Sequence, residues 1–508
     1  METPNTLATS RKIAKWRFDR AGFTRKERFA KIEALIRALK LLTLLRILEQ
    51  ADSTKYPMSK DSSMTQLVRR KFIKGTTYTA LAMIGSPFIA CSRKSIPGEF
   101  KKANMLSQDI FIPSPKPGVA TMGASYYTTA GKSDLISVHK YMSRSDTVDV
   151  AYVRQSDDNG RLWSDSSKWV TRFDHPYGTG RRHPRGGYSD PVTGRYITVW
   201  TEGILPNDDP LEGMMHWKLH YSISADGGKS QIVNEQIIHD GAEFDEMHHM
   251  PGITVGKNCL MMGDLGERPL TRSDGTILLP VQSTPVGPNG EYFNPGEGYT
   301  YTDCLLLFGK WKPDGRLSWT ASERIVGDPQ KTTRGLIEPT IAELADGSIL
   351  MVMRGSNDAR PEWPGYKWYS KSRDGGMTWA EAKPWTYTDG SPFYSPSATS
   401  QLIPHSDGRL LWMGNISKEN PKGNRPRYPI VYGEVDPNSG LLIRSSVASI
   451  DDLQSNESPY LTLSNFYARE DRETGNLLLH MTRLFAQDFR VDGITDWTAD
   501  SLIYRIQS

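Results

Sequence analysis

Ser372-Arg373-Asp374-Gly375-Gly376-Met377-Thr378-Trp379 reads S-x-D-x-G-x-x-W, and so does Ser156-Asp157-Asp158-Asn159-Gly160-Arg161-Leu162-Trp163. Ser224-Ala225-Asp226-Gly227-Gly228-Lys229-Ser230-Gln231 keeps all of the pattern but its Trp, and Asp314 and Trp319 keep two positions of it. The chemistry of this octad is that of a turn. Its Ser and Asp side chains bond nearby backbone, its Gly tolerates φ > 0, and its Trp is large enough to wedge between sheets. It marks a fold and carries no chemistry of its own.

A second series interleaves with the first. Gly131, Gly194, Gly275, Gly347, Gly408 and Gly475 each sit in a tight turn followed by a short apolar run: 135–138, 196–200, 277–281, 349–353, 410–413 and 477–481. Successive glycines are roughly 60–80 residues apart, enough for a four-stranded antiparallel unit with its loops. Ahead of each octad or its degenerate counterpart lies another strand pattern: 148–154, 217–223, 304–308, 366–369 and 428–435, with 501–506 making a sixth. Long helical periodicity is absent from residue 110 onward. Both series count six, which predicts an all-β, six-bladed β-propeller over 109–508. Radial closure leaves few exposed sheet edges. The long interval from Gly194 to Gly275 keeps seven blades open as an alternative.

These octads resemble the Asp-boxes of the sialidase-like (BNR repeat) β-propellers, a superfamily of carbohydrate-active enzymes. The resemblance covers most of residues 110–508. It implies a glycan substrate and a site at the central mouth.

The chain ahead of the propeller has a different composition. Residues 1–90 carry 18 Lys and Arg against 7 Asp and Glu, a balance of +11; with +4 for the whole chain, the remainder sums to −7. The basic excess therefore belongs to the leader, and no basic surface is left to hold a nucleic-acid backbone. Within it, Arg69-Arg70-Lys71-Phe72-Ile73-Lys74 is a twin-arginine pattern followed by a modest apolar stretch, 75–90, too short and polar to span a membrane. Phe88-Ile89-Ala90-Cys91 then resembles a lipoprotein cleavage box with Cys91 as the acylated residue. We read 64–91 as an export signal, 92–108 as a polar tether, and the protein as periplasmic or cell-surface, touching a membrane only through its lipid anchor. Residues 1–63, with a basic amphipathic helical pattern over 11–50, are either a cytoplasmic extension or lie upstream of the true start at Met64. Besides Cys91 the chain has only Cys259 and Cys304, one possible pair. Neither Cys-x-x-Cys nor His-Glu-x-x-His occurs, so no metal or cofactor is expected.

The segment Gly335-Leu336-Ile337-Glu338-Pro339 to Met353-Arg354 is strand, turn, strand, which returns Arg354 to the rim where Glu338 begins. It resembles the sialidase segment in which a Glu polarises a nucleophilic Tyr and an Arg binds the substrate carboxylate. The other reading of the two is a structural ion pair. The resemblance implies Tyr467, in Ser464-Asn465-Phe466-Tyr467, as the nucleophile. Its hydroxyl, with a pKa near 10, needs an adjacent carboxylate; Tyr467 is otherwise a core aromatic. It further implies a loop Asp as acid/base, for which Asp146 stands first and Asp149 second. Arg427, with Arg425 as competitor, would be a further carboxylate-binding Arg. The family's Arg in its first blade has no counterpart in Ala120-Thr121-Met122-Gly123-Ala124-Ser125-Tyr126.

Other cations can fill that gap. His183 and Arg185 lie in the dense turn Arg181-Arg182-His183-Pro184-Arg185, and His248 and His249 follow Glu246-Met247. A His and a Tyr beside a neutralised carboxylate are also what β-elimination requires. The leading expectation is thus an exo-glycosidase on acidic or modified glycans, using Tyr467, Glu338 and Asp146. A lyase or dehydratase on uronic-acid-containing oligosaccharide or polysaccharide is the first alternative. A non-catalytic glycan-binding propeller is the second.

Overall fold

Both full octads are the turns between the third and fourth strands of a four-stranded sheet. Ser372 Oγ donates to Asp374 Oδ1 at 2.6 Å and accepts from the Gly376 N–H at 2.7 Å, while Asp374 Oδ1 accepts from the Met377 and Thr378 N–H groups at 3.0 Å. Ser156 and Asp158, and Ser224 and Asp226, repeat the arrangement. Trp163 and Trp379 are half-buried rather than fully buried, but both wedge between neighbouring blades. Trp379 packs on the cluster of Leu306 and Phe308, and Trp163 lies edge-on to Phe111, with Arg154 4.9 Å from its centroid.

The computed structural model describes residues 100–508 apart from Asp264, 488–489 and 492–493. The twin-arginine segment, Cys91 and residues 1–99 lie outside the described residues. Among the described residues six blades follow one another, each built on an antiparallel meander, and Arg490–Val491 with Ile494–Thr495 makes a separate two-stranded sheet. Their inner strands are Ala120–Tyr127, Gly178–Ser189, the pair Leu260–Met261 and Leu270–Thr271, Ile337–Glu343, Gln401–Pro404 and Thr462–Glu470. We number the blades one to six in that order. The six-bladed reading holds.

The apolar faces explain the arrangement. Ile197, Val199, Leu219 and Tyr221 of blade two pack on Leu279, Val281, Leu305 and Leu307 of blade three. Equivalent clusters join blades three and four, four and five, and five and six. Blades one and two share a smaller cluster of Ala124, Tyr126, Ile136 and Tyr196, with Leu265 and Tyr467.

Blade six is completed from the other end of the propeller: Met105–Ile112 forms its outermost strand, paired with Ser501–Ile506. Lys101–Lys102 adds a parallel edge to blade five, against Ala448 and Ser449. This corrects the tether, because 101–102 and 105–108 are sheet. Their polar residues are tolerated at an outer edge, where the side chains meet water. Residues 181–185 are likewise not a turn but part of the inner strand of blade two. Cys259 and Cys304 are separate, buried free thiols. Among the described residues no helix is long and apolar enough to cross a membrane, and no group of three or more His, Cys, Asp or Glu is placed to hold a metal ion.

Candidate active site

Glu338 opens the inner strand of blade four inside a β-bulge. Ile337 pairs with Arg354, and the ladder resumes only at Thr340 with Val352. The bulge sets Glu338 at φ +48°, a left-handed conformation that is uncommon for a residue with a side chain and re-aims it out of the ladder. Its N–H is held by Gln282 Oε1 at 2.7 Å, from the end of the second strand of blade three. Gly263 leaves room for the Glu338 side chain, since a Cβ there would collide with Glu338 Cγ.

The carboxylate is asymmetric. Oε1 accepts from Arg354 Nη1 at 2.7 Å, while Oε2 is buried without a hydrogen-bond partner. Arg354 is fixed on its other sides, Nε donating to Ser397 Oγ at 2.8 Å and Nη2 to Asn424 Oδ1 at 3.2 Å. Arg427 donates from Nη2 to the Ser397 carbonyl at 2.9 Å. Arg334, in the loop leading into blade four, donates from Nε and Nη2 to Thr300 Oγ1 at 3.1 and 2.5 Å and lies 5.5 Å from the Tyr299 ring centroid. Behind them, Lys367 is fully buried and donates to the Ala398 carbonyl.

The electrostatics follow from this crowding of cations. Burial and the neighbouring Arg354 push Arg427 down to about 9 and Arg334 down to about 10. Burial, with Arg354 and Arg427, pushes Lys367 down to about 7, and Glu338 acts against that shift. For Glu338 itself burial favours the neutral acid, but Arg354, Arg427 and Lys367 outweigh it and hold the carboxyl below its ordinary value. Glu338 is therefore ionised at neutral pH with one oxygen free.

Asp146 stands on the exposed loop between the second and third strands of blade one, at φ +56°. Its charge acts on Arg334, Arg427 and Tyr299, so this loop faces the same mouth. Glu338, Arg354 and Arg427 thus come together, and the charge of Asp146 reaches Arg427. Arg334, Lys367 and Gln282 were not singled out by the sequence.

Tyr467 does not join them as expected. It is buried among Tyr126, Tyr196 and Leu265, with its ring 4.5 Å from that of Tyr126, and no hydrogen bond joins it to Glu338. Blade six has the same bulge as blade four, between Ser464 and Tyr467, and the residue in the left-handed conformation there is Asn465, at φ +60°. The register equivalent of Glu338 in blade six is therefore Asn465, and Tyr467 lies farther along the strand.

The histidines form separate groups. His183 is buried against Trp217, ring centroids 4.9 Å apart, and burial together with Arg185, Lys140 and Arg181 holds it far below its ordinary value. Arg185 is buried beside it on the same strand. Arg181 is engaged by Asp208 in two bonds of 2.8 Å, and Arg182 by Glu202 at 2.6 Å. His249 is buried in the long connection between blades two and three, where burial and Lys218 push it down to about 3, and His248 packs on Phe244. The main charges acting on Glu338 are Arg354, Arg427 and Lys367, and Arg334 and Glu338 also act on each other.

Residues 221–448 match the family model of the BNR repeat-like domain. No curated protein matches the chain. A protein of unknown function from Dyadobacter fermentans DSM 18053 is similar in structure at a TM-score of 0.51 and 14% identity, covering 80% of this chain and 99% of that one. The NanB sialidase from Streptococcus pneumoniae, solved with 2-[(3-chlorobenzyl)ammonio]ethanesulfonate, is similar at a TM-score of 0.50 and 12% identity, covering 80% of this chain and 71% of that one. At these identities the likeness is one of fold.

Proposed function

We propose that this chain, a sialidase-like BNR-repeat propeller, holds the carboxylate of an acidic sugar at its mouth and hydrolyses the glycosidic bond beside it. The observation that carries this reading is the convergence of Arg334, Arg354 and Arg427, with Lys367 behind them, on the single carboxylate of Glu338. Cations exceed anions around that group, and burial together with their mutual repulsion depresses Arg334, Arg427 and Lys367. A bound carboxylate relieves that repulsion and finds guanidinium forks suited to it. Arg334 supplies the cation that blade one lacks.

In this reading Asp146 gives its proton to the leaving glycosidic oxygen. Oε2 of Glu338, unpartnered and buried at rest, has to turn into the mouth to attack the anomeric carbon, forming a glycosyl ester that water then opens, with Asp146 taking up the water's proton. Glu338 takes this role itself because Tyr467 shares no proton with it. The ion pair of Glu338 with Arg354 favours a second reading, a glycan-binding propeller, since a carboxylate held at 2.7 Å by a guanidinium is a weaker nucleophile. Elimination has less support, because His183 is buried against Trp217 and His249 is buried in the connection between blades two and three.

The test is a screen of sialylated and uronate-terminated oligosaccharides with two readouts. Release of the acidic sugar without absorbance near ~235 nm, the band of a C=C conjugated to a carboxylate, supports hydrolysis. Absorbance there supports elimination, and saturable binding without product supports the second reading.

Lys367 makes the site pH-sensitive. Below about 7 its ammonium adds to the cationic mouth, and as pH rises through that value the charge is lost. KM for an acidic substrate should be flat below pH ~7 and rise above it by roughly 3- to 10-fold, about the worth of one nearby charge. In Lys367→Met the rise should disappear, with KM high throughout. A rise of equal size in the variant would assign it elsewhere.

A further inference from the structure

Blade two has two unlike faces. Towards blade three it presents Ile197, Leu219 and Ile223, but towards blade one, beyond Tyr196, it presents Thr198, Trp200 and Glu202 with His220 and Ser222. The two blades therefore do not close on one another there. They leave a cleft of about 540 Å³, within the range of small-ligand sites. It opens to solvent past the exposed Gln231 and Asn234 at the outer strand of blade two.

The walls of this cleft are built rather than merely loose. Trp169 of blade one stands edge-on to Trp200 at 6.1 Å, and His220 stacks on Trp200 at 5.5 Å. Glu202 Oε2 is bonded by Arg182 Nε at 2.6 Å, so the two charges cancel inside the cleft. Three polar atoms of the lining, Tyr196 Oη, Trp200 Nε1 and His220 Nε2, are buried without a hydrogen-bond partner, the last of them 3.6 Å from Glu202 Oε1. Burial holds the His220 imidazole down to about 4, so it is neutral at physiological pH. Burying such polar groups costs free energy that a hydrogen-bonding partner, such as a ligand's hydroxyl, recovers.

We propose that this cleft between blades one and two binds a neutral pyranose unit. Paired charges leave no net field for an anion. An obligate donor, Trp200 Nε1, stands beside an imidazole nitrogen and a carboxylate oxygen that can accept, and sugar hydroxyls serve both. The Trp169 and Trp200 rings give the apolar face of a pyranose a surface to lie on. The site is separate from the cationic mouth and does not depend on what the mouth does.

The experiment titrates the protein, labelled at its indole nitrogens, with methyl β-D-galactopyranoside and methyl β-D-glucopyranoside, and with sodium glucuronate as the charged comparison. The Trp200 indole N–H signal, identified by its absence in Trp200→Phe, should shift saturably with at least one neutral glycoside and less with glucuronate. Calorimetry should find that binding weakened about tenfold or more in Trp200→Phe, which removes the donor, and in Thr198→Leu, which fills the cleft. It should be unchanged in Glu338→Gln. Should one cleft variant fail to fold, the other still reports. Absence of saturable binding, full affinity in the folded cleft variants, loss of binding in Glu338→Gln, or an equal Trp200 shift with glucuronate would each overturn the assignment.

Discussion

Glu338→Gln should lower kcat on an acidic glycoside by about 1,000-fold or more while leaving binding of the acidic sugar intact or tighter. The substitution preserves shape: a side-chain oxygen still accepts from Arg354, whose guanidinium keeps its bonds to Ser397 and Asn424. It replaces the free Oε2 with an NH₂ group that cannot attack carbon. It also removes the anion paired with Arg354, which offsets Arg427 and Lys367 as well, so the mouth becomes more cationic. Catalysis and affinity should therefore part company, which separates this outcome from simple damage. Kinetics together with calorimetry on the released sugar read both. Tyr467→Phe should keep its rate within roughly threefold, since that hydroxyl is not bonded to Glu338. A collapse in Tyr467→Phe as deep as in Glu338→Gln would restore the tyrosine as nucleophile.

Arg334→Met is expected to raise KM for the acidic substrate by about 10- to 100-fold, the worth of a charge-assisted bond, with little change in kcat. Arg334 is buried and depressed to about 10 by desolvation and by Arg354, so it sits where a cation is unwelcome until an anion arrives. Methionine fills a similar volume without the charge. Removing one of several buried like charges should leave the unliganded protein as stable as before, or more stable by about 1–2 kcal/mol. Urea midpoints with and without the acidic ligand would show it: the ligand's stabilising effect shrinks although the free protein has lost nothing. A less stable free protein with an unaltered KM would make Arg334 a structural residue.

The fold was legible because the octads and the glycine turns are local. Each needs only a few consecutive side chains to fix its backbone, and their repetition counts the blades. Glu338 and Arg354 were legible for the same reason, as two ends of one hairpin. Arg334 escaped notice because its partner, Thr300, is 34 residues away on a loop of blade three, and nothing next to it in sequence announces that contact. Lys367 reads as an ordinary strand residue, and only the neighbouring blade's Ala398 carbonyl shows why a Lys is buried there. The place of Tyr467 was not legible, because nothing in Ser464-Asn465-Phe466-Tyr467 announces the β-bulge that puts Asn465, and not Tyr467, in the conformation of Glu338.

The pairing of Met105–Ile112 with Ser501–Ile506 joins residues such as Gln108 and Tyr504, 396 positions apart. Until Ser501–Ile506 has been made, blade six lacks the strand that joins Met105–Ile112 to Leu477–Leu484, so the blades made earlier wait with an open sheet edge. Ring closure is then a late, long-range event of the kind that makes folding slow and an unfinished chain prone to sticking to others. It also makes damage at either partner of this latch a lesion of the whole circle. The mouth draws on blades one, three, four and five, and this seam is one of the contacts that hold blade one in register with the rest.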